Sequence, residues 1–145
     1  MKKKLKLSST FKTCSEKETF ALARKFAAGL SGGEIIILEG PIGAGKTVFA
    51  SGLAAGLGCK KRPVSSTFNL MRIYEGRLKM AHFDLFRLKS GRELDFEFED
   101  YFSEEYVAVI EWPKAAEKVY SRFSYFRVEI ELSGGDEREI KIYEY

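Results

Sequence analysis

The sequence predicts an α/β fold, a three-layer sandwich with a central, mostly parallel sheet and a C-terminal antiparallel hairpin. Strand-like and helix-like stretches alternate through the first half of the chain, which is the pattern of a sheet covered by helices. Two short apolar runs, residues 34–38 and 107–111, are continuous rather than alternating. Such runs are expected of strands buried on both faces, as in a parallel sheet.

Length and composition limit the possible classes of protein. With 145 residues, we expect one domain over positions 1–145. Apolar residues make up 45% and charged residues 31%, which is typical of a soluble globular chain. A net charge of +3 is too small to argue for nucleic-acid binding by itself. Cys14 and Cys59 are too few for a disulfide framework and indicate a reducing, cytoplasmic location. No apolar run suits a signal peptide or a membrane span.

The first predicted helix has signals at both ends. A strand is expected over residues 5–13, after which Ser15 and Glu18 form a capping box. The capping box opens a helix with most of its apolar side chains on one face. We expect Gly32 and Gly33 to end it.

The second half of the chain is richer in strands. Residues 68–86 contain two strand-like runs with a turn at 75–76. The stretch 90–106 is acidic, aromatic and irregular, with one short helix expected. Residues 125–132 and 138–145 are then predicted to form the C-terminal hairpin.

Residues 40–47, GPIGAGKT, match the phosphate-binding pattern G-x-x-x-x-G-K-[ST]. The glycines let successive backbone N–H groups turn inward, and the following helix, expected over 45–57, points its positive end at the anion. Lys46 reaches the β- and γ-phosphates, and the Thr47 hydroxyl is a ligand for Mg²⁺. This loop predicts a P-loop NTPase-type fold, and the lack of an N/T-K-x-D segment favours ATP or ADP. The residues expected to bind the nucleotide here are Gly43, Ala44, Gly45, Lys46, Thr47 and Val48.

A P-loop enzyme also needs an acidic residue at a nearby strand end, to hold Mg²⁺ directly or through water. Asp84 ends the run MAHFD, and Glu111 ends VAVIE. Both are expected at the carboxyl edge of the sheet, where α/β proteins bind ligands. The alternative for either residue is a solvated acid at a strand end.

Three neighbours of these acids have two interpretations each. Trp112 follows Glu111 and either packs in the core or lies against the nucleotide. His82 shares a strand face with Asp84, and either orients a water molecule or forms a structural hydrogen bond. Arg87 pairs with a carboxylate or phosphate, or forms a surface ion pair.

Four segments together resemble the TsaE (YjeE) family of small bacterial ATPases, which are required for threonylcarbamoyladenosine modification of tRNA. GPIGAGKT is similar to the family's G-x-x-G-A-G-K-T loop, and VSSTFNL to V-x-S-P-T-F-x-L. HFDLFRL resembles H-x-D-x-Y-R-L, and VIEWP contains the family's I-E-W segment. The similarity covers nearly the whole chain. The order and spacing of the four segments make it more specific than the phosphate loop alone.

The resemblance implies a role for individual residues. Lys46 matches the phosphate-binding lysine, and Thr47 the Mg²⁺-binding threonine. Glu111 matches the acidic residue of the metal site. Asp84 matches an acid needed for ATP hydrolysis, and is therefore expected to be catalytic with Lys46.

Two further matches and two departures complete the resemblance. Thr67 matches a switch-like position that faces the γ-phosphate and is expected to be catalytic with Asp84 and Lys46. Trp112 matches a residue near the nucleotide. Ser66 stands where the family has proline, so the loop before Thr67 is expected to be more mobile. Phe86 replaces the usual tyrosine and lacks its hydroxyl.

The resemblance implies an ATPase that acts with the TsaB and TsaD proteins, using ATP and Mg²⁺ and meeting tRNA indirectly, with no DNA or membrane partner. The residues also predict slow turnover without partners, because no lid with paired arginines is visible to stabilise charge on the γ-phosphate. Arg62, Arg72 and Arg87 remain candidates to reach inward. The alternatives are a small P-loop kinase that phosphorylates a metabolite, and a nucleotide-gated binding module with little catalysis.

Overall fold

The computed structural model describes residues 6–63, 70–88 and 97–145. Within these ranges seven strands form one sheet. The strands are β1 (Lys6–Thr13), β2 (Ile35–Glu39), β3 (Met71–Tyr74), β4 (Lys79–Asp84), β5 (Tyr106–Glu111), β6 (Phe126–Gly134) and β7 (Glu137–Glu144). The helices are α1 (Glu16–Ala28), α2 (Lys46–Gly56) and the short α3 (Glu117–Tyr120), with single 3₁₀ turns at Phe98–Tyr101 and Pro113–Ala116.

The sheet has the order β1-β7-β6-β2-β5-β4-β3. Its central strands β6, β2, β5 and β4 run parallel to one another, whereas β1, β7 and β3 pair in antiparallel fashion. The predicted fold class and the predicted C-terminal hairpin are confirmed. Because β2 lies between β6 and β5, the loop that follows β2 starts at the middle of the carboxyl edge.

Helix α1 begins as predicted and ends earlier than predicted. The Glu18 N–H donates to Ser15 Oγ at 3.1 Å, and Glu18 Oε2 accepts from the Cys14 N–H at 2.7 Å. The helix ends at Ala28, with Gly29 as its cap, so the expectation that Gly32 and Gly33 end it was wrong. Arg77, from the β3–β4 turn, explains the difference. Its guanidinium donates to the carbonyls of Ala27 and Leu30 at 2.8 and 2.9 Å, so partners distant in sequence satisfy the end of the helix.

Helices α1 and α2 pack closely together on one face of the sheet. A Cβ added at Gly52 would lie 2.4 Å from the Phe20 carbonyl oxygen, and one at Gly56 would lie 2.4 Å from that of Arg24. Only glycine allows this approach of the two backbones. The contact fixes α2, and with it the loop at its N-terminus.

The opposite face of the sheet is covered by aromatic side chains on short helical turns. The buried Phe83 ring of β4 lies 5.3 Å from the Phe98 ring and 5.8 Å from the Tyr101 ring, measured between centroids. Tyr120, at the end of α3, is also buried and lies 5.0 Å from the Tyr125 ring. The sheet and the elements that cover its two faces form the three layers that the sequence predicts.

Candidate functional site

The glycine loop joins the end of β2 to the start of α2. Gly43 and Gly45 have positive φ angles of 82° and 106°, which glycine adopts without strain. A Cβ at Gly40 would lie 2.4 Å from the Ile130 carbonyl oxygen, so the loop starts pressed against β6. A Cβ at Gly43 would meet no atom within 4 Å. The loop is therefore uncrowded at Gly43, and the first turn of α2 presents N–H groups with no partner inside the helix.

Lys46 is buried at this position, with 6% of its surface exposed. Its Nζ donates to the Gly40 carbonyl at 2.7 Å and lies 3.3 Å from the centroid of the Trp112 ring. Burial lowers the pKa of the Lys46 ammonium, and the nearby carboxylates of Glu111, Asp84 and Glu39 oppose that shift.

The two predicted acids lie side by side. Asp84 and Glu111 are register partners at the ends of the parallel strands β4 and β5. Glu111 is buried, and His82 Nε2 donates to its Oε2 at 2.6 Å. His82 therefore forms the structural hydrogen bond that was one of its two interpretations. Asp84 Oδ1 accepts from the Phe86 N–H at 3.2 Å, which shapes the turn after β4.

Trp112 has an unusual backbone. Its φ angle of 53° makes it the one residue other than glycine with positive φ in the described part of the chain. A left-handed conformation costs a non-glycine residue about 1–2 kcal/mol. The conformation brings the indole ring over Lys46 and within 4.9 Å of the Phe86 ring, centroid to centroid. Trp112 therefore packs against the phosphate-loop lysine rather than inside the core.

These residues surround an open cleft of about 510 Å³, here named the loop cleft. Most of the predicted site residues line it, namely Gly43, Gly45, Lys46, Thr47, Val48, Asp84, Glu111 and Trp112. Ala44 is fully buried behind the loop. Thr67 and Ser66 lie outside the described residues. A second space of about 460 Å³, the side cavity, shares Lys46, Phe86 and Trp112 with the loop cleft and reaches Tyr120 and Arg127.

One arginine at the loop was missed by the sequence analysis. Arg138 Nε, on β7, donates to the Ala44 carbonyl at 2.9 Å. Two of the arginines named above as candidates to reach the nucleotide lie elsewhere. Arg62 lies over the Phe20 ring at 4.8 Å, and Arg72 belongs to β3, opposite His82. No sequence signal indicates the Arg138 contact, because it depends on how the hairpin packs beside β2.

The residues present fit a magnesium nucleotide. In the ranges that the structure describes, no group of three His, Cys, Asp or Glu side chains can hold a metal ion alone. Magnesium bound with a nucleotide needs few protein ligands, because phosphate oxygens and water supply the others. Thr47, in the first turn of α2, and Glu111 line the same cleft and are suitable ligands. None of the described helices is long and apolar enough to cross a membrane.

Comparison with known proteins agrees with this geometry. The family model described as threonylcarbamoyl adenosine biosynthesis protein TsaE matches residues 13–140. The chain belongs to the TsaE family. It is therefore a member of a family involved in tRNA threonylcarbamoyladenosine biosynthesis, as its resemblance implied.

Individual relatives match most of the chain. The TsaE protein of Bacillus subtilis is 35% identical over 131 residues, which are 90% of this chain and 82% of that protein. The TsaE protein of Aquifex aeolicus is 35% identical over 132 residues, covering 89% and 91%. The crystal structure of Bacillus subtilis YdiB superimposes with a TM-score of 0.80 at 30% identity, covering 98% of this chain and 88% of that one.

Proposed function

We propose that this chain is a single-domain, cytoplasmic ATPase that binds ATP with Mg²⁺ and acts with TsaB and TsaD in tRNA threonylcarbamoyladenosine modification. The observation that carries the proposal is the convergence of the glycine loop, Lys46 and two strand-end acids on one cleft. Membership of the TsaE family supports the pathway. Contact with tRNA is proposed to be indirect, through the assembled proteins.

Residues 40–47, which run into the start of α2, form one wall of the loop cleft, here named the loop wall, and bind the phosphates. The N–H groups of the loop and of the first turn of α2 supply donors, and the helix end adds partial positive charge. Lys46 Nζ carries three hydrogens. One is donated to Gly40, so the ammonium stays anchored while its others are available to a phosphate.

The ends of β4 and β5, with Asp84 and Glu111, form the other wall of the cleft, here named the acid wall, which would hold the metal and the attacking water. Thr47 and Glu111 would bind Mg²⁺, which neutralises charge on the phosphate oxygens. The 2.6 Å hydrogen bond from His82 holds the Glu111 carboxylate in one orientation at the edge of the cleft. Asp84 is the register partner of Glu111 at the same strand edge, which supports the proposal that it orients a water molecule and accepts its proton.

The same cleft explains why the isolated chain is expected to be slow. Lys46 is the one cation among the described residues that line it. Among the described residues, one cationic side chain is therefore available, beside the loop N–H groups and the metal, to stabilise charge that develops on the γ-phosphate. We propose that assembly with TsaB and TsaD completes the site.

The test is phosphate release from ATP by the purified chain, alone and with TsaB and TsaD from the same source. Partners should stimulate release strongly, and Lys46→Met should abolish it. The exposed Lys61 offers a matched control, because Lys61→Met removes an equal charge outside the cleft. Equal rates with and without the partners would contradict the coupled ATPase. Transfer of phosphate to an added metabolite would show a small kinase, and nucleotide binding without release would show a nucleotide-gated module.

A further inference from the structure

We propose that Arg138 is a positioning residue of the phosphate loop. Its hydrogen bond to Ala44 holds the peptide between Ala44 and Gly45 in one orientation, with the Gly45 N–H directed at the bound phosphate. The inference rests on the proposed nucleotide binding and deepens it by assigning a role to a residue of the C-terminal hairpin.

The contacts of Arg138 tie two distant backbone segments together. Nε donates to the Ala44 carbonyl at 2.9 Å, in the loop. Nη1 donates to the Gly135 carbonyl at 3.4 Å, in the turn between β6 and β7, and to the Glu137 carbonyl at 3.3 Å, at the first residue of β7. A Cβ at Gly45 would lie 3.9 Å from Arg138 Nε, so the guanidinium also flanks the next residue of the loop. The side chain thus bridges the loop and the hairpin turn.

The geometry of a trans peptide determines what this bridge does. The described chain has no cis peptide bond, and in a trans peptide the C=O and the next N–H point in opposite directions. An Ala44 carbonyl directed at Arg138 therefore directs the Gly45 N–H away from Arg138. Gly45 lines the loop cleft, and in the proposed arrangement the cleft is the side to which this donor turns.

The peptide needs such a restraint because it precedes a glycine. Gly45 has a φ angle of 106° and, lacking a Cβ, can adopt the opposite sign of φ about as readily. The Ala44–Gly45 peptide can therefore rotate, and rotation would present a carbonyl oxygen to the phosphate instead of a donor. A hydrogen bond from a charged donor is strong enough to favour one orientation.

The sheet holds Arg138 in place. On β7, Arg138 pairs with Leu132 of β6 and with Thr13 of β1. Strand β6 in turn pairs in parallel with β2, the strand that leads into the loop. The loop and its restraint are therefore attached to the same rigid element, and the distance between them is set by strand pairing.

The experiment compares Arg138→Gln with Lys141→Gln, which removes an equal charge from the same strand at a partly exposed ion pair with Glu139. Calorimetry measures the affinities for ATP with Mg²⁺ and for tripolyphosphate. Arg138→Gln should weaken both by a similar factor, roughly tenfold, the order of losing one hydrogen bond to a charged group. Lys141→Gln should change neither. Arg138→Lys, which keeps the charge but not the planar fork, should fall between Arg138→Gln and the wild type.

If Arg138 instead contacted the phosphate directly, Arg138→Gln would also weaken the binding of both ligands. A second readout is therefore needed. The ¹⁵N–¹H spectrum of the ligand-free protein reports the Gly45 amide itself and the folding of each variant. We expect Arg138→Gln to shift or broaden the Gly45 signal before any ligand is added. An unchanged Gly45 signal would overturn the positioning role.

Two binding results would also overturn it. Unchanged affinities in Arg138→Gln would do so directly. Weaker binding of ATP with unchanged tripolyphosphate binding would instead place Arg138 against the nucleoside. If the wild-type chain binds neither ligand, the proposed function itself fails, and that outcome is recognised before any variant is compared.

Discussion

The two walls of the loop cleft are built in different ways. The loop wall comes from one continuous stretch, residues 40–47, and offers mainly backbone N–H groups and the start of α2. The acid wall comes from the ends of β4 and β5 and offers side chains, with Glu111 held by His82 and Trp112 held in a left-handed conformation. A backbone wall depends on local conformation, whereas a side-chain wall depends on buried contacts between distant segments. The acid wall is therefore the one that single substitutions should disturb most.

The largest effect is expected from His82→Ala. The side chains of His82 and Glu111 are 11% and 6% exposed, and removing His82 leaves the Glu111 carboxylate buried without its partner. Leaving a buried polar group without its hydrogen-bond partner costs about 1–3 kcal/mol, and more when the group is charged. Urea unfolding of the ligand-free protein should show a fall of that order in the free energy of unfolding.

The double variant His82→Ala/Glu111→Gln is the control for this prediction. It also lacks the pair but leaves no charge buried, so it should recover most of the lost stability. A cost below about 1 kcal/mol for His82→Ala, or no recovery in the double variant, would mean that the pair does not hold the acid wall.

A smaller effect is expected at Tyr120, below the side cavity. Burial, followed by the nearby Glu117 and Tyr125, raises the pKa of the Tyr120 hydroxyl from 10.0 to about 12. The folded protein then keeps this proton at pH values where the unfolded chain loses it. The contribution to stability is complete below pH 10 and is lost as the pH rises from 10 to 12.

The loss at Tyr120 should be on the order of 2 kcal/mol. It is measured as the free energy of unfolding of the wild type relative to Tyr120→Phe between pH 9 and about 12. The difference between the two proteins should shrink, or change sign, as the pH rises. A difference that stays constant over this range would contradict the prediction.

The smallest effect is expected from the backbone of Trp112. Trp112→Gly and Trp112→Ala both remove the ring from Lys46, so their comparison isolates the φ angle of 53°. Glycine avoids the left-handed penalty of about 1–2 kcal/mol, which exceeds its own entropic cost of about 0.5–1 kcal/mol. Thermal unfolding should find Trp112→Gly the more stable by up to about 1 kcal/mol. The opposite order would show that the backbone relaxes once the ring is gone.

Much of the fold could be predicted because its signals are local. The capping box at Ser15 and the buried runs of β2 and β5 all rest on neighbouring residues, and the structure has them where predicted. The end of α1 was predicted wrongly because Arg77, far along the chain, satisfies the carbonyls there. Local patterns give no information on such a partner.

The candidate site also has features that could be predicted from local sequence and contacts that could not. The phosphate loop could be predicted from eight consecutive residues, because its mechanism needs glycines, a lysine and a hydroxyl at set spacings. Asp84 and Glu111 were predicted at strand ends, and the parallel register of β4 with β5 makes them neighbours. That His82 binds Glu111, that Trp112 covers Lys46 and that Arg138 binds Ala44 could not be predicted, because each contact joins different elements.

The sequence by itself determined the alternation of strands and helices, the conformation-specific glycines of the loop and the chemical groups available at the carboxyl edge. These follow from periodicity and from backbone preferences that act over a few residues. Only the tertiary structure decided which groups meet. Strand order places β6 and β5 on either side of β2, and that arrangement brings the hairpin arginine to one side of the loop and the acids to the other. Pairing between strands is a property of the whole sheet, and so the working geometry of the cleft arises there.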